Sequence, residues 1–237
     1  MSRHALRALH RLLPIAALSG GAVLFLHLLG NRSVPVADVP IVFADAADAY
    51  FHPVQNALFY TPALVICLGG SLEDVTSPLL VVRREGIAGS LRHALAAGSL
   101  LAAVWSCVLA SGFAAMLWRK GILDDLGTAF HACLLLALCA YGLSCCLLLI
   151  LVGFAAGRRA AIVAVLGYGL VCYFIGTSPL RSLAAAHVGW TLVQDALAGP
   201  LAAAASVLHQ LLICGMLFAA VWLACLHGDI QEGSMPQ

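Results

Sequence analysis

The stretch ACLLLALCAYGLSCCLLLILVGF, residues 132–154, contains no charged side chain and no proline. A helix crossing a bilayer needs about 20 predominantly apolar residues, and this run supplies them without interruption. The rest of the chain has the same character. Of 237 residues, 62% are hydrophobic and 10% are charged, whereas a soluble domain is about a quarter charged. The deficit is too large for an ordinary core inside a solvated shell, so the sequence reads as an integral membrane protein.

On either side of this run, five more segments qualify or nearly qualify. The expectation is an all-α fold in a single transmembrane domain over residues 1–237. Its six spans lie near residues 12–30, 54–72, 94–118, 132–154, 160–177 and 201–226. The second span is the weakest, because Gln55 and Asn56 open it and Pro62 interrupts it. The first follows Arg3, Arg7 and Arg11 as the apolar part of a signal peptide would. Its run is long for that role and no clear A-x-A site follows before the polar loop, so it reads as a retained helix.

Basic residues set the orientation. With the N-terminus in the cytoplasm, the inner segments carry Arg3, Arg7, Arg11, Arg83, Arg84, Arg92, Arg158 and Arg159, and the outer ones Arg32, Arg119, Lys120 and Arg181. Both termini are therefore expected inside. The external loop 31–53 is polar and acidic, with Asp38, Asp45 and Asp48, and has a short helix expected over 43–50. The external segment 178–200 is half apolar and reads as short interfacial helices anchored by Trp190. The N-terminal SRHALRALHR places basic groups at helical spacing, which suits an anionic inner leaflet.

Several function classes are disfavoured. A net charge of +1 provides no field for nucleic acid. Lys120 is the only lysine and no G-x-x-x-x-G-K frame precedes it, so the chain has no P-loop. The nine cysteines form no C-x-x-C pair and lie mostly in apolar runs, where Cys behaves as a small apolar residue; no metal site is expected. No Asp, Glu, Lys or Arg lies in the middle of a span, which argues against proton-coupled carriers, pumps and voltage sensors. His27, His209 and Gln210 are the polar exceptions. They read as interhelical hydrogen-bonding groups or as contacts along a substrate path. An intramembrane serine protease of rhomboid type needs G-x-S-G. The chain offers Leu109-Ala110-Ser111-Gly112 with His209 and lacks the first glycine. Gly153 and Gly157 form a G-x-x-x-G, which predicts a close helix contact.

The polar stretch SLEDVTSPLLVVRREGIAGSLRHAL, residues 71–95, joins the second and third spans on the cytoplasmic side. It holds six of the chain's 23 formally charged side chains: Glu73, Asp74, Arg83, Arg84, Glu85 and Arg92. The positive-inside rule accounts for the arginines but not for the acidic residues or the apolar Leu79–Val82 between them. A short helix lying along the membrane and offering a docking face over 73–93 accounts for all of them.

At this point the chain resembles the permease subunit of a type-2 ABC transporter, in the style of small bacterial bacteriocin-immunity and peptide-export permeases. The resemblance rests on six spans, an N-terminal amphipathic segment and half-buried external helices before the last span. It also rests on the region L-E-D-x-x-S-P-L-L-V-x-R-R-E-G followed by an apolar helix containing Trp105. The first external loop is longer than that family's pattern, and the fourth–fifth connection, AAGRRAA, is too short for a sizeable second coupling helix. The resemblance implies that Glu73, Asp74, Arg83, Arg84, Glu85 and Arg92 dock a separate ABC ATPase. It also implies that ATP and Mg are held by that partner, that this chain binds no cofactor of its own, and that a second permease copy or a related permease completes the path in the bacterial plasma membrane. Two other classes stay open: a non-transporting membrane scaffold, accessory or immunity protein, and an intramembrane enzyme.

Overall fold

Long runs of leucine, alanine and cysteine favour helix wherever water is absent, because only an intrasegment hydrogen-bond ladder satisfies every backbone group in a hydrocarbon solvent. The computed structural model agrees. It describes residues 46, 50, 51, 55–76, 87–122, 127–176 and 200–233, and among these there is no strand. A π-helical turn, Asn56–Tyr60, leads into α1, Thr61–Thr76. Then come α2, Ile87–Arg119; α3, Gly127–Ala156; α4, Arg158–Gly176; and α5, Pro200–Gly233.

Among the described residues three stretches are long and apolar enough to cross a membrane: Gly89–Arg119, Thr128–Ala156 and Leu201–Ala224; Ala57–Gly69 is a shorter apolar helix. The protein is a helical membrane protein. At about 1.5 Å per residue, α2, α3 and α5 each run about 45–50 Å, well beyond the ~30 Å hydrocarbon core. The expected first span, 12–30, and the external segment 178–199 lie outside the described residues.

The apolar run 132–154 becomes the centre of the bundle. Its helix, α3, packs against α1, α2, α4 and α5. Its apolar window is 61% buried, against 17% for α5, which leans on α3 from one side. Small residues set the closest approach. A Cβ on Gly98 of α2 would collide with the Cys146 sulfur of α3, and one on Gly142 of α3 would come within 3.0 Å of the Ala102 Cβ. These two contacts lie one turn apart and run in opposite senses along the chain, so α2 and α3 are antiparallel. Thr61 meets Tyr141, and Leu68 and Cys146 meet at Gly98, so α1 runs parallel to α3 and antiparallel to α2; Gly69 beside Arg158 with Thr61 beside Gly169 makes α1 and α4 antiparallel. Close backbone approach of this kind gives helices in lipid the dispersion contacts that hydrophobic burial cannot provide there.

α3 ends, and α4 begins, at Gly157. Its φ is 85°, its N–H donates to the Gly153 carbonyl, and its own carbonyl accepts from Ala161 N–H. It is the left-handed residue closing one helix and the acceptor opening the next. Nothing lies within 4 Å of where its Cβ would stand. Within this chain Gly157 thus has a backbone requirement, separate from the close helix contact expected of Gly153 and Gly157. Gly153 itself is buried.

Candidate functional site

Pro62 shapes the chain where α1 starts. In a regular α-helix it would leave the Leu58 carbonyl without a donor and crowd it with its ring. The wider π turn over Asn56–Tyr60 gives that ring room. π turns inside longer helices recur at functional positions. The turn falls in the span whose polar opening, Gln55 and Asn56, and whose proline make it the weakest in the sequence.

Around the turn the structure gathers hydroxyls and aromatic rings. Thr61 Oγ1 and the Tyr141 hydroxyl are 2.7 Å apart and both buried. Gly169 of α4 lets α4 close on Thr61, since a Cβ there would stand 3.2 Å from the Thr61 methyl. The Tyr141 ring stacks on Tyr168 at 6.2 Å and lies 6.2 Å from Trp105. One step toward the other end of the bundle, the Tyr60 hydroxyl donates to the Tyr50 carbonyl at 2.8 Å. The Tyr50 hydroxyl donates to the Leu109 carbonyl of α2 at 3.0 Å. Tyr50, Phe51 and Phe113 form a ring cluster with centroids 4.9–5.6 Å apart. Tyr50 and Phe51 belong to the segment read as an external loop, yet both are buried against α2. A column of aromatic groups with hydroxyls set into it therefore joins α1, α2, α3 and α4.

A second polar feature lies on the seam between α3 and α5. Ser144 Oγ donates to the Ala140 carbonyl at 2.8 Å and accepts from Gln210 Nε2 at 3.4 Å. Cys214 lies within reach of the same serine. Gln210 is 1% exposed, and its Oε1 has no hydrogen-bond partner. Ser90 Oγ and His131 Nε2 are buried without partners as well.

The residues singled out from the sequence do not all meet. Glu73 and Asp74 fall in the last turn of α1, and Arg92, the sixth residue of α2, is exposed. Because α1 and α2 are packed antiparallel, these three lie at one end of the bundle. The Arg158 guanidinium is at that end too, 3.8 Å from the Cβ position of Gly69. Arg83, Arg84 and Glu85 lie outside the described residues, as does His27. His209 is half-buried on α5 beside Gln210. Among the described residues no group of three His, Cys, Asp or Glu side chains is placed to hold a metal ion. Cys67, Cys107, Cys133, Cys139, Cys145, Cys146 and Cys214 are free thiols.

The tyrosines were not legible as a group in the sequence, because their spacing along the chain carries no motif. No family model, curated protein or solved structure matches this chain.

Proposed function

We propose that this chain is the membrane-spanning permease subunit of an ATP-driven ABC exporter. In this reading it has six spans and both termini in the cytoplasm, and it sits in a bacterial plasma membrane. It pairs with a second copy or a related permease, and an ABC ATPase holding ATP and Mg docks on its cytoplasmic end. The observation that carries the proposal is the charged stretch of residues 71–95 between two apolar spans. The packing of α1 against α2 supports it, because two antiparallel helices in contact hold Glu73, Asp74 and Arg92 at one end of a firm lever. Force applied at that end passes along α1 to the Pro62 region and the aromatic column. The lack of charge in the middle of the spans favours a hydrophobic or amphipathic substrate, such as a lipid, a peptide or a drug-like compound.

The acidic residues provide the test, since they contribute little to topology while arginines confound it. The triple change Glu73→Gln, Asp74→Asn, Glu85→Gln is expected to leave expression and orientation intact. It should weaken ATPase co-purification by roughly a few tenths to several kcal/mol per lost pair, depending on burial, and reduce transport with it. Unchanged co-purification, or no ATPase recovered with the wild type, would return the chain to the scaffold or immunity class.

A further inference from the structure

We propose that Tyr50 and Phe51 form an outer latch on the bundle, released from α2 by opening at the π turn that precedes Pro62. This rests on the orientation given under the proposed function, in which this end of the bundle faces outward, but it does not require the ATPase.

The depth of the contact comes first. Leu109 lies about 15 Å along α2 from Arg119, at about 1.5 Å per residue, which is about half the thickness of the hydrocarbon core. The Tyr50 hydroxyl therefore meets α2 about three helical turns below the Arg119 end. Ala46, four residues before Tyr50, is buried at 0% exposure, so Ala46, Tyr50 and Phe51 are all seated inside the bundle.

The bond has the chemistry of a latch. In the middle of a regular helix the Leu109 carbonyl is already paired with the Phe113 N–H, and Tyr50 uses its second lone pair. When Tyr50 leaves, α2 keeps its ladder intact and no carbonyl is orphaned. The departing hydroxyl regains water if it moves outward. The seat is shaped for this hydroxyl, since a Cβ on Gly112 would collide with the Tyr50 Oη. Glycine in a membrane helix usually admits another helix. Here it admits one phenol group.

The π turn connects the latch to the rest of the bundle. Tyr60, its last residue, holds the Tyr50 carbonyl, and the next residue, Thr61, is tied to Tyr141 on the central helix. Converting a π turn to α removes one residue from the turn and rotates the preceding segment by about 100° relative to α1, given about 3.6 residues per turn. Such a change swings Tyr60 and Tyr50 off α2 while Thr61 stays anchored. The latch and its pivot are thus joined by two hydrogen bonds.

The test uses Ala46→Cys as a buried reporter, in intact cells treated from outside with a membrane-impermeant maleimide. Peptide mass spectrometry separates the new thiol from the nine native cysteines. The Ala46→Cys thiol should react slowly in the otherwise wild-type chain. Adding Tyr50→Phe, or Gly112→Ala, should speed the reaction about fivefold, the factor that one hydrogen bond makes in an opening equilibrium. Combining the two changes should add little to either alone, because both break the same contact. Equal rates in all four proteins, additive effects, or faster reaction from the cytoplasmic side would overturn the proposal. If Ala46→Cys does not accumulate, amide exchange of residues 55–61 in Tyr50→Phe replaces it. Faster exchange than in the wild type is expected, and equal exchange refutes the latch. A latch that passes these tests with no ATPase recovered would refute the permease reading alone. Flat labelling with a recovered ATPase would refute the latch alone.

Discussion

Gln210 shows how a single polar residue in a membrane bundle is weighed. It is fully buried, its donor side makes one long hydrogen bond to Ser144, and its Oε1 is unpaired. Leaving a buried acceptor unmade costs about 1–3 kcal/mol, whereas a bond at the long end of the range returns little. Ser144 loses nothing essential if Gln210 is removed, since its own proton goes to Ala140. Gln210→Met keeps the length of the side chain and deletes the orphan. Thermal unfolding in detergent should show this variant as stable as the wild type or more so. A loss above about 2 kcal/mol would mean that the amide oxygen has a partner in the membrane. The Thr61–Tyr141 pair is the contrasting case, because there a 2.7 Å bond joins the two hydroxyls.

Among the helices, two glycines have different requirements, and substitutions separate them. Gly157 needs a positive φ and has open space at its Cβ position. Alanine there should cost about 1–2 kcal/mol, and asparagine less, because Asn enters the left-handed region more readily despite its greater size. Unfolding midpoints that rank alanine above asparagine would point to a steric contact instead. Gly98 has the opposite requirement, since any Cβ meets the Cys146 sulfur. Gly98→Ala should destabilise by about 1–3 kcal/mol, the usual range for overpacking. Cys146→Ala in the same chain should recover most of that loss by removing the colliding atom. Additive losses in this double-mutant cycle would show that α2 and α3 do not meet there.

For the bundle as a unit, the central position of α3 and the lateral position of α5 determine what meets the surroundings. α5 exposes Leu212, Met216 and Trp222, apolar groups that suit lipid or a second transmembrane surface. The orientation proposed for the bundle rests on the two-to-one excess of basic residues in the segments assigned to the inside. Reporter fusions after Gln237 and within residues 38–48 should therefore lie on opposite sides of the membrane, the first in the cytoplasm. A C-terminal reporter found outside would remove the six-span arrangement, and with it the docking role of residues 71–95.

Composition and order of residues alone settle the solvent and the class of structure. Apolar runs such as residues 132–154 leave no alternative to helices in a bilayer, because length and polarity decide whether backbone groups must be satisfied within a segment. They also point to the irregular span, since Pro62 removes a backbone donor whatever surrounds it. Gln210 stands out by polarity, and Glu73, Asp74 and Arg92 fall toward one end by their position between apolar runs. Which helix is central was decided by packing, because Leu- and Ala-rich helices carry little information about their neighbours. Packing assigned close contact to Gly98 and Gly142 and gave Gly157 a turn, a distinction that depends on φ and on what faces each residue. It brought Tyr50 to Leu109, 59 positions away, and Tyr141 to Thr61, 80 positions away. Contacts of that range depend on how helices approach one another, and helix approach is set by the shape of the packed surfaces, which no local pattern along the chain encodes.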